Sequence, residues 1–242
     1  MILKVGLNFN RWGCVMYVEF SKLQQLKRSQ RLTRTNEVEK MFTYIRGFCA
    51  DRTNPKTETA KALGYVREIY KDKERYGEPS LVHPLSMVIT SIQIGMVDDV
   101  SLAVDLYHDV PDDLGMQVIE LPTSSDVKRG VELIIRKPVY PGEDAQLAER
   151  QYYHGLLKDP NAVIAKSLSR YSKTSSMIGA FTEDRVVQTV RDTHENILPL
   201  IREAQQVYPI YGNELSVLEY MLRDLNDTIA LLHGIDLYEP KT

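Results

Sequence analysis

Apolar residues recur every three or four positions along most of this chain after residue 20, and this spacing is the strongest constraint on its fold. In the stretch TNEVEKMFTYIRGFCA, the apolar positions include Val38, Met41, Phe42, Ile45 and Phe48. Such spacing gathers apolar side chains on one face of an α-helix, whereas runs that alternate with the two-residue period of a β-strand are few. The sequence therefore predicts an all-α fold without an internal repeat.

Capping residues and helix breakers divide this pattern into separate helices. Pro84 stands in the first turn of one helix, which ends near Gly95, and Asp98 or Asp99 caps the next helix. Pro111 is predicted to stop that helix, because a proline has no N–H to donate to the preceding turn. The predicted helices cover residues 35–50, 57–73, 83–96, 98–110, 124–137, 143–158, 161–177, 183–207 and 213–233.

The length and composition are sufficient for one substantial core. The chain has 242 residues, of which 43% are hydrophobic. We predict a single helical domain over residues 21–242. Residues 1–20 are predicted to be an N-terminal extension, to which the sequence assigns no role. This extension either forms a short β-hairpin that turns near Arg11–Gly13, or it lies upstream of the true start if translation begins at Met16.

The charge balance and the two cysteines narrow the classes of protein to consider. With 30 basic and 33 acidic residues the formal net charge is -3, which argues against a general nucleic-acid-binding surface. The apolar runs all fall short of the roughly 20 residues that a membrane span needs. Cys14 and Cys49 lie far apart and do not resemble a metal-binding pair. We therefore predict a cytoplasmic protein with reduced thiols and neither nucleic acid nor membrane as a partner.

One stretch, AVDLYHDVPDDLGM, gathers residues that bind metals. It contains His108, Asp109, Asp112 and Asp113, and His83 precedes a proline in another predicted helix. A divalent ion that holds a hydroxide needs imidazoles and carboxylates that converge from several helices. Taken singly, the aspartates also fit a solvated helix end, and the histidine before the proline fits a cap or a core position. Their joint spacing favours the metal site.

A longer stretch shows a family resemblance. The segment GEPSLVHPLSMVITSIQIGMVDDVSLAVDLYHDVPDD resembles the HD-domain hydrolases of the RelA/SpoT type, which carry Gly-x-Pro-Tyr before His-Pro and then Ala-Ala-Leu-Leu-His-Asp-x-x-Glu-Asp. AVIAKSLSRYSKTSSM is similar to the Lys-Leu-Ala-Asp-Arg helix of that family. TEDRVVQTVRDT is similar to the next helix of its small stand-alone members, the metazoan SpoT homologues. The resemblance covers roughly residues 55–207 and implies an HD-domain-like helical bundle.

The resemblance implies an activity and a set of catalytic residues. This family uses manganese to remove pyrophosphate from the 3′ position of guanosine tetraphosphate or pentaphosphate. His83, His108 and Asp109 correspond to three of its metal ligands. Asp112 and Asp113 correspond to the Glu-Asp pair that positions and activates the attacking water. The implied cofactor is therefore a divalent metal ion, Mn²⁺ in the first instance.

The resemblance also implies a binding site for a nucleotide polyphosphate. Lys166 and Arg185 correspond to basic positions near the substrate phosphates. Either Arg75 or Lys73 corresponds to a basic residue that faces the nucleotide, and the register does not decide between them. The alternative for these cations is an ordinary solvated helix face. Members of the family often pair, so a homodimer is a further expectation.

The chain departs from the family at positions that matter for the chemistry. Ser169 stands where the family has its fourth metal ligand, an aspartate, and a serine hydroxyl is a poor replacement for a carboxylate. Lys173 replaces an asparagine and would oppose a bound cation if its side chain turned inward. Ser80 replaces a tyrosine, and Asp112 is one methylene shorter than the family's glutamate. These departures predict weakened metal binding.

Two functions follow as alternatives. The first is a metal-dependent phosphohydrolase, in which a nearby carboxylate from Asp159, Glu183 or Asp192 replaces the missing ligand or three ligands suffice. The second is a degenerate relative that binds a nucleotide or a protein partner without turnover. The retained histidines and aspartates favour the first function, whereas the substituted positions favour the second.

Overall fold

The computed structural model describes residues 9–10, 13–14, 37–75, 78–177 and 180–238, and it confirms the predicted all-α fold. The helices of these residues are α1 (residues 37–49), α2 (Thr57–Ile69), α3 (Val82–Ile94), α4 (Asp99–Tyr107), α5 (Val110–Leu114), α6 (Ser125–Ile134), α7 (Ala145–Leu156), α8 (Pro160–Ser176), α9 (Glu183–Asp192), α10 (Leu198–Val207) and α11 (Gly212–Leu232). The nine predicted helices are found in the predicted order and at approximately the predicted positions, but α5 was not predicted and the helix over 183–207 is divided into α9 and α10.

Two short antiparallel strand pairs accompany the helices. β1 (Phe9–Asn10) pairs with β2 (Gly13–Cys14), in agreement with the predicted N-terminal hairpin. β3 (Glu74–Arg75) pairs with β4 (Glu78–Pro79) directly before α3. The other predictions for residues 1–20, including a start at Met16, lie outside the described residues.

Helix α4 is the centre of the core. It packs against α2, α3, α6 and α8. Its side chains are buried on all sides, among them Leu102, Val104 and Tyr107, as expected for a helix that is apolar around its circumference. The close approach of α6 requires a glycine, because a Cβ on Gly130 would lie 2.8 Å from Cγ2 of Val104. The C-terminal end of α4 is thus held firmly within the protein.

Two adjacent aspartates cap two different helices. Asp98 caps α4, as predicted, and its side chain accepts the backbone N–H groups of Val100 and Ser101. Asp99 instead accepts the backbone N–H groups of Glu58 and Thr59, at the start of α2. A carboxylate at a helix N-terminus satisfies exposed donors and interacts favourably with the helix dipole. The start of α4 is therefore tied to the start of α2.

The prediction that Pro111 stops the helix over 98–110 is wrong. Helix α4 ends at Tyr107, and Pro111 lies in the first turn of α5. A proline is tolerated in a first turn, because the N–H that it lacks would have no partner within the helix. His108 and Asp109 therefore lie at the junction between two helices rather than inside one.

The predicted single helix over 183–207 is also interrupted. Helix α9 ends at Asp192, and residues Thr193–Ile197 form a wider π-helical turn before α10. Pro199 lies in the first turn of α10. Its ring cannot donate a hydrogen bond and would clash with the carbonyl four residues earlier in a regular α-helix, which accounts for the wider turn.

The longest described helix, α11, completes the bundle. It packs against α8, α9 and α10, and its buried stripe includes Leu215, Leu218 and Leu222. Near its C-terminal end it encloses a second, smaller apolar cluster, made by Met177, Val186, Val190, Ile229 and Ala230. None of the helices in the described ranges combines the length and the apolar character that crossing a membrane requires.

Candidate metal centre

The three predicted metal ligands lie together. His83 is in the first turn of α3, His108 follows the last residue of α4, and Asp109 follows it. The Nε2 atoms of the two histidines are 3.1 Å apart, and Nε2 of His108 lies 3.2 Å from Oδ1 of Asp109. One donor atom from each of the three residues lies within 4.8 Å of the other two. Two imidazoles and one carboxylate therefore converge on one point.

Hydrogen bonds outside the cluster fix the orientation of both rings. Nδ1 of His108 lies 2.8 Å from the backbone carbonyl oxygen of Asp105. A carbonyl can only accept, so this nitrogen carries the hydrogen and Nε2 presents its lone pair to the cluster. Nδ1 of His83 lies 2.9 Å from Oγ of Ser172. Outer hydrogen bonds of this kind orient the histidines of metal sites.

The surroundings favour the protonation states that bind metals. Burial lowers the pKa of His83 well below its usual value, and His108 adds to this effect, so the His83 ring is neutral. Burial alone would raise the pKa of Asp109, but interactions with His108, Lys173 and His83 together hold it below its ordinary range. A neutral imidazole and an ionised carboxylate are the forms in which these side chains ligate a cation.

The distances fit one divalent ion with three protein ligands. A Zn²⁺–N bond is about 2.0–2.1 Å long, so two imidazole nitrogens on one tetrahedral ion lie about 3.3 Å apart. The observed separation of the two Nε2 atoms is 3.1 Å. Two histidines and a carboxylate are also the ligand set of several other first-row metal sites, so the donors do not select one metal.

Ser169 lies where the resemblance predicts the fourth ligand. It is buried, and its Oγ is 3.4 Å from Nε2 of His83. The face of α8 that carries it is thus directed at the cluster, which agrees with the register used for the prediction. A hydroxyl at this position can approach a cation but contributes no negative charge.

The predicted replacement of the missing carboxylate is not found among the described residues. Asp159 caps α8 and pairs with Arg129. Asp192 accepts hydrogen bonds from Arg170, Tyr153 and Asn196. Glu183 pairs with His233 at the protein surface. Each of the three acids therefore has other partners, and none of them joins the cluster that His83, His108 and Asp109 form among the described residues.

Two cations contact the Asp109 carboxylate. Nη1 of Arg75 lies 3.0 Å from its Oδ2, and Nζ of Lys173 lies 3.8 Å from the same oxygen. Lys173 has thus turned inward, where burial lowers the pKa of its ammonium group and Asp109 offsets part of that effect. Lys73 is exposed, with its ammonium 5.9 Å from the ring centre of Tyr70. Of the two alternatives from the sequence, Arg75 is the one that reaches the cluster.

The two predicted catalytic aspartates differ in their contacts. Oδ2 of Asp113 accepts a hydrogen bond of 2.8 Å from the Tyr70 hydroxyl, and its Oδ1 lies 3.8 Å from Nη1 of Arg75. Burial and this hydrogen bond raise the pKa of Tyr70 well above its ordinary range, so the hydroxyl remains a donor. Asp112, which is exposed like Asp113, makes none of these contacts. The pair is therefore split, and only Asp113 is connected to the cluster.

A cavity of about 250 Å³ opens beside His83. Its charged lining is mainly basic and includes Arg75, Arg170, Lys173 and Arg185, with Glu78 as the acid. Ser80, which stands where the resemblance predicts a tyrosine, also lines it. The guanidinium of Arg185 lies 4.1 Å from the ring centre of Phe181, which also lines the cavity. The space next to the candidate metal centre is therefore suited to an anion.

Lys166 lies in an adjoining cavity of about 460 Å³, whose lining shares Arg170 and Arg185 with the first cavity. Its ammonium is 5.2 Å from the ring centre of Tyr152. Burial lowers its pKa to about 7, and the neighbouring cations, Lys173 among them, add to the effect. Arg185 therefore lines both cavities, whereas Lys166 lines only the adjoining one.

Sequence reasoning missed two residues that hold the site. Ser172 contacts His83, and it stands three residues after Ser169 on the same face of α8, so its spacing contained a usable signal. Tyr70 contacts Asp113 from the end of α2. Its partner lies 43 residues away, and the sequence contains no pattern that would pair them.

Two comparisons with known proteins found no match to this chain. No protein-family model matches the chain, and none of the curated proteins matches it. What the protein does must therefore be inferred from the side chains that meet at this centre.

Proposed function

We propose that this protein is a metal-dependent phosphohydrolase of the HD superfamily, and that its substrate is a guanosine polyphosphate with a pyrophosphate at the 3′ position. The observation that carries the proposal is the convergence of His83, His108 and Asp109, whose donor atoms lie within 4.8 Å of one another. The substrate and the choice of Mn²⁺ come from the sequence resemblance alone. The nucleophile in a hydrolase of this type is a water molecule, so the chain needs no nucleophilic side chain.

A bound divalent ion would lower the pKa of its water, which falls to about 7 in some zinc enzymes, and would thereby favour a hydroxide as the nucleophile. The proton acceptor that the contacts support is Asp113. The Tyr70 hydroxyl holds its Oδ2 at 2.8 Å, which leaves Oδ1 to accept a proton. Asp112 lacks these contacts and is not the proton acceptor in this proposal.

The basic side chains around the cavity would bind the phosphates. Arg75, Arg170 and Arg185 line it together with Lys173. Guanidinium groups bind phosphate oxygens in pairs, and positive charge stabilises a departing pyrophosphate. Lys166 would contribute from the adjoining cavity. The side chains would thus supply both parts that the reaction needs, the ligands for a hydrated metal ion and a cationic region next to them.

One observation favours the alternative of a degenerate binding protein. Arg75 and Lys173 both contact Oδ2 of Asp109, and Ser169 adds no charge to the ligand set. Two cations on the one carboxylate ligand lower its attraction for a metal. A protein with this arrangement could bind a phosphorylated ligand through the same cations without hydrolysing it.

Metal content tests the centre on which the proposed hydrolysis depends. We expect purified protein dialysed against Mn²⁺ to retain about one ion per chain, and His108→Ala to retain none, since it removes a ligand. His154→Ala is the matched control, because His154 is exposed on α7 and distant in sequence from the cluster. Equal metal in wild type and His108→Ala would contradict the proposal.

Activity is tested separately by incubating the protein with guanosine tetraphosphate and Mn²⁺ and measuring released pyrophosphate. We expect release from wild type, loss of release with Asp113→Asn, and a much smaller change with Asp112→Asn. Retained metal without release would support the binding protein. Cleavage of a deoxynucleotide or a nucleoside monophosphate instead would preserve the superfamily assignment and exclude the proposed substrate.

A further inference from the structure

A metal ion would compete with the cations Arg75 and Lys173 for Oδ2 of Asp109. This oxygen lies 3.7 Å from Nε2 of His83, on the side where a metal would bind. It also lies 3.0 Å from Nη1 of Arg75 and 3.8 Å from Nζ of Lys173. A divalent ion would therefore have to share its only carboxylate ligand with two positive charges.

The balance of charge makes this competition severe. The three ligands carry one negative charge, from Asp109, whereas Arg75 and Lys173 carry two positive charges. Asp113 offsets one of them, since its Oδ1 lies 3.8 Å from Nη1 of Arg75. A further +2 charge would be added to a group of side chains that is already neutral, and like charges at such distances repel strongly where water is partly excluded.

The same two cations line the cavity beside His83. Their side chains are both 37% exposed, so each retains contact with the cavity while its end group contacts Asp109. Arginine and lysine have long side chains with several rotatable bonds, and both bind phosphate. An anion in the cavity would thus offer these end groups an alternative partner within reach.

We propose that Arg75 and Lys173 couple the two ligands of the site, so that a phosphate-bearing anion withdraws them from Asp109 and increases the affinity for the divalent metal. This inference rests on the proposed metal centre but not on the proposed substrate. Because coupling is reciprocal, the bound metal increases the affinity for the anion by the same factor. The two residues thereby determine specificity, since the complete site forms only with a phosphorylated ligand.

The experiment measures Mn²⁺ binding to the full chain by equilibrium dialysis, with and without inorganic phosphate as the anion. We expect phosphate to tighten Mn²⁺ binding about tenfold in wild type, within the usual range of coupling between sites. Lys173→Met should bind Mn²⁺ more tightly than wild type without phosphate, and its gain from phosphate should fall below about threefold. Lys173→Arg, which keeps the charge, should restore the coupling.

Lys158→Met is the matched control. Lys158 is exposed at the end of α7, and the substitution removes the same charge away from the centre. It should behave as wild type. If Lys173→Met does not fold, as judged by circular dichroism, Arg75→Gln replaces it and should show the same tighter binding and reduced gain.

The outcomes separate this inference from the proposed function. If Mn²⁺ binds to wild type but not to His108→Ala, while phosphate and Lys173→Met leave its affinity unchanged, the coupling is refuted and the metal centre stands. If Mn²⁺ binds equally poorly to wild type and His108→Ala, with or without phosphate, the metal centre is refuted and the coupling with it.

Discussion

The Nε2 atoms of His83 and His108 face each other at 3.1 Å, although 25 residues separate them in the chain. Two imidazole nitrogens that meet in this way need a proton or a cation between their lone pairs. Nδ1 of His108 already donates its hydrogen to the carbonyl oxygen of Asp105. The contact is thus stable with one hydrogen on His83 Nε2, and a metal ion that binds both nitrogens must displace that hydrogen.

Ser169→Asp should strengthen metal binding. The Ser169 Oγ lies 3.4 Å from Nε2 of His83, so a carboxylate there could become a fourth ligand and would add the negative charge that the cluster lacks. We expect the affinity for Mn²⁺ to rise about tenfold or more, measured by equilibrium dialysis, given that even the loss of an outer hydrogen-bond partner of a ligand typically changes metal affinity about 10–100-fold. Ser175→Asp is the control, because Ser175 is exposed on the same helix. An unchanged affinity would mean that this position does not face the metal.

Lys166→Met should stabilise the protein in a pH-dependent way. The pKa of Lys166 falls from 10.5 in the unfolded chain to about 7 in the folded protein, chiefly because of burial. Between these values the unfolded chain binds more protons, so the folding free energy of wild type becomes more favourable as the pH rises. Below pH 7 the full cost of the buried charge is present. Each unit of pKa change corresponds to about 1.4 kcal/mol.

The variant lacks this charge, so its advantage over wild type should be greatest at pH 6 and should vanish as the pH approaches 10. Urea unfolding at several pH values measures the difference. Lys158→Met serves as the control for the loss of a lysine and should show no such trend. A constant difference across this pH range would indicate that Lys166 keeps its ordinary pKa.

Substitution of two helical glycines should have opposite effects. A Cβ on Gly130 would lie 2.8 Å from Cγ2 of Val104, so Gly130→Ala should destabilise the protein by about 1–3 kcal/mol. A Cβ on Gly155, which is also helical, meets no atom within 4 Å. Gly155→Ala should therefore stabilise by about 0.5–1 kcal/mol, because alanine loses less conformational freedom in a helix. Thermal unfolding of both variants checks the pair, and equal effects would contradict the close contact between α4 and α6.

Asn226→Leu should also stabilise the protein. Asn226 is fully buried in α11, and among the described residues neither its Nδ2 nor its Oδ1 has a hydrogen-bond partner. An unsatisfied buried polar group costs about 1–3 kcal/mol, which a leucine of similar size would recover. Asn161→Leu is the contrast, since Asn161 accepts a hydrogen bond from Ser101 and should lose stability. Destabilisation by Asn226→Leu would point to an internal water that bonds the amide.

The helices were predictable because apolar periodicity and capping are local properties of the chain. Gly95 ends α3 with a positive φ of 92°, as its position after the apolar stretch suggests. The convergence of His83 with His108 and Asp109 was also predictable, because their joint spacing favoured a metal site and the family resemblance implied the same three ligands. Periodicity shows that a histidine is on a helix and not which other helix it will meet.

The details of the centre depend on packing between segments that are distant in the chain, so local sequence patterns could not predict them. The sequence did not distinguish Asp112 from Asp113, because the difference arises from Tyr70, which reaches Asp113 from another helix. It likewise did not indicate that Lys173 would contact Asp109. The role of Pro111 was mispredicted because a proline that follows one helix and a proline that begins the next helix cannot be told apart from the sequence alone.

The capping by Asp98 and Asp99 has a consequence for how the chain can vary in length. The two carboxylates are adjacent and serve different helices, so both must keep their present positions directly before α4. An insertion between them, or the deletion of either, would leave the start of α4 or of α2 without its cap. Length polymorphism among orthologues is therefore expected in the exposed connection between α6 and α7, and not in this turn.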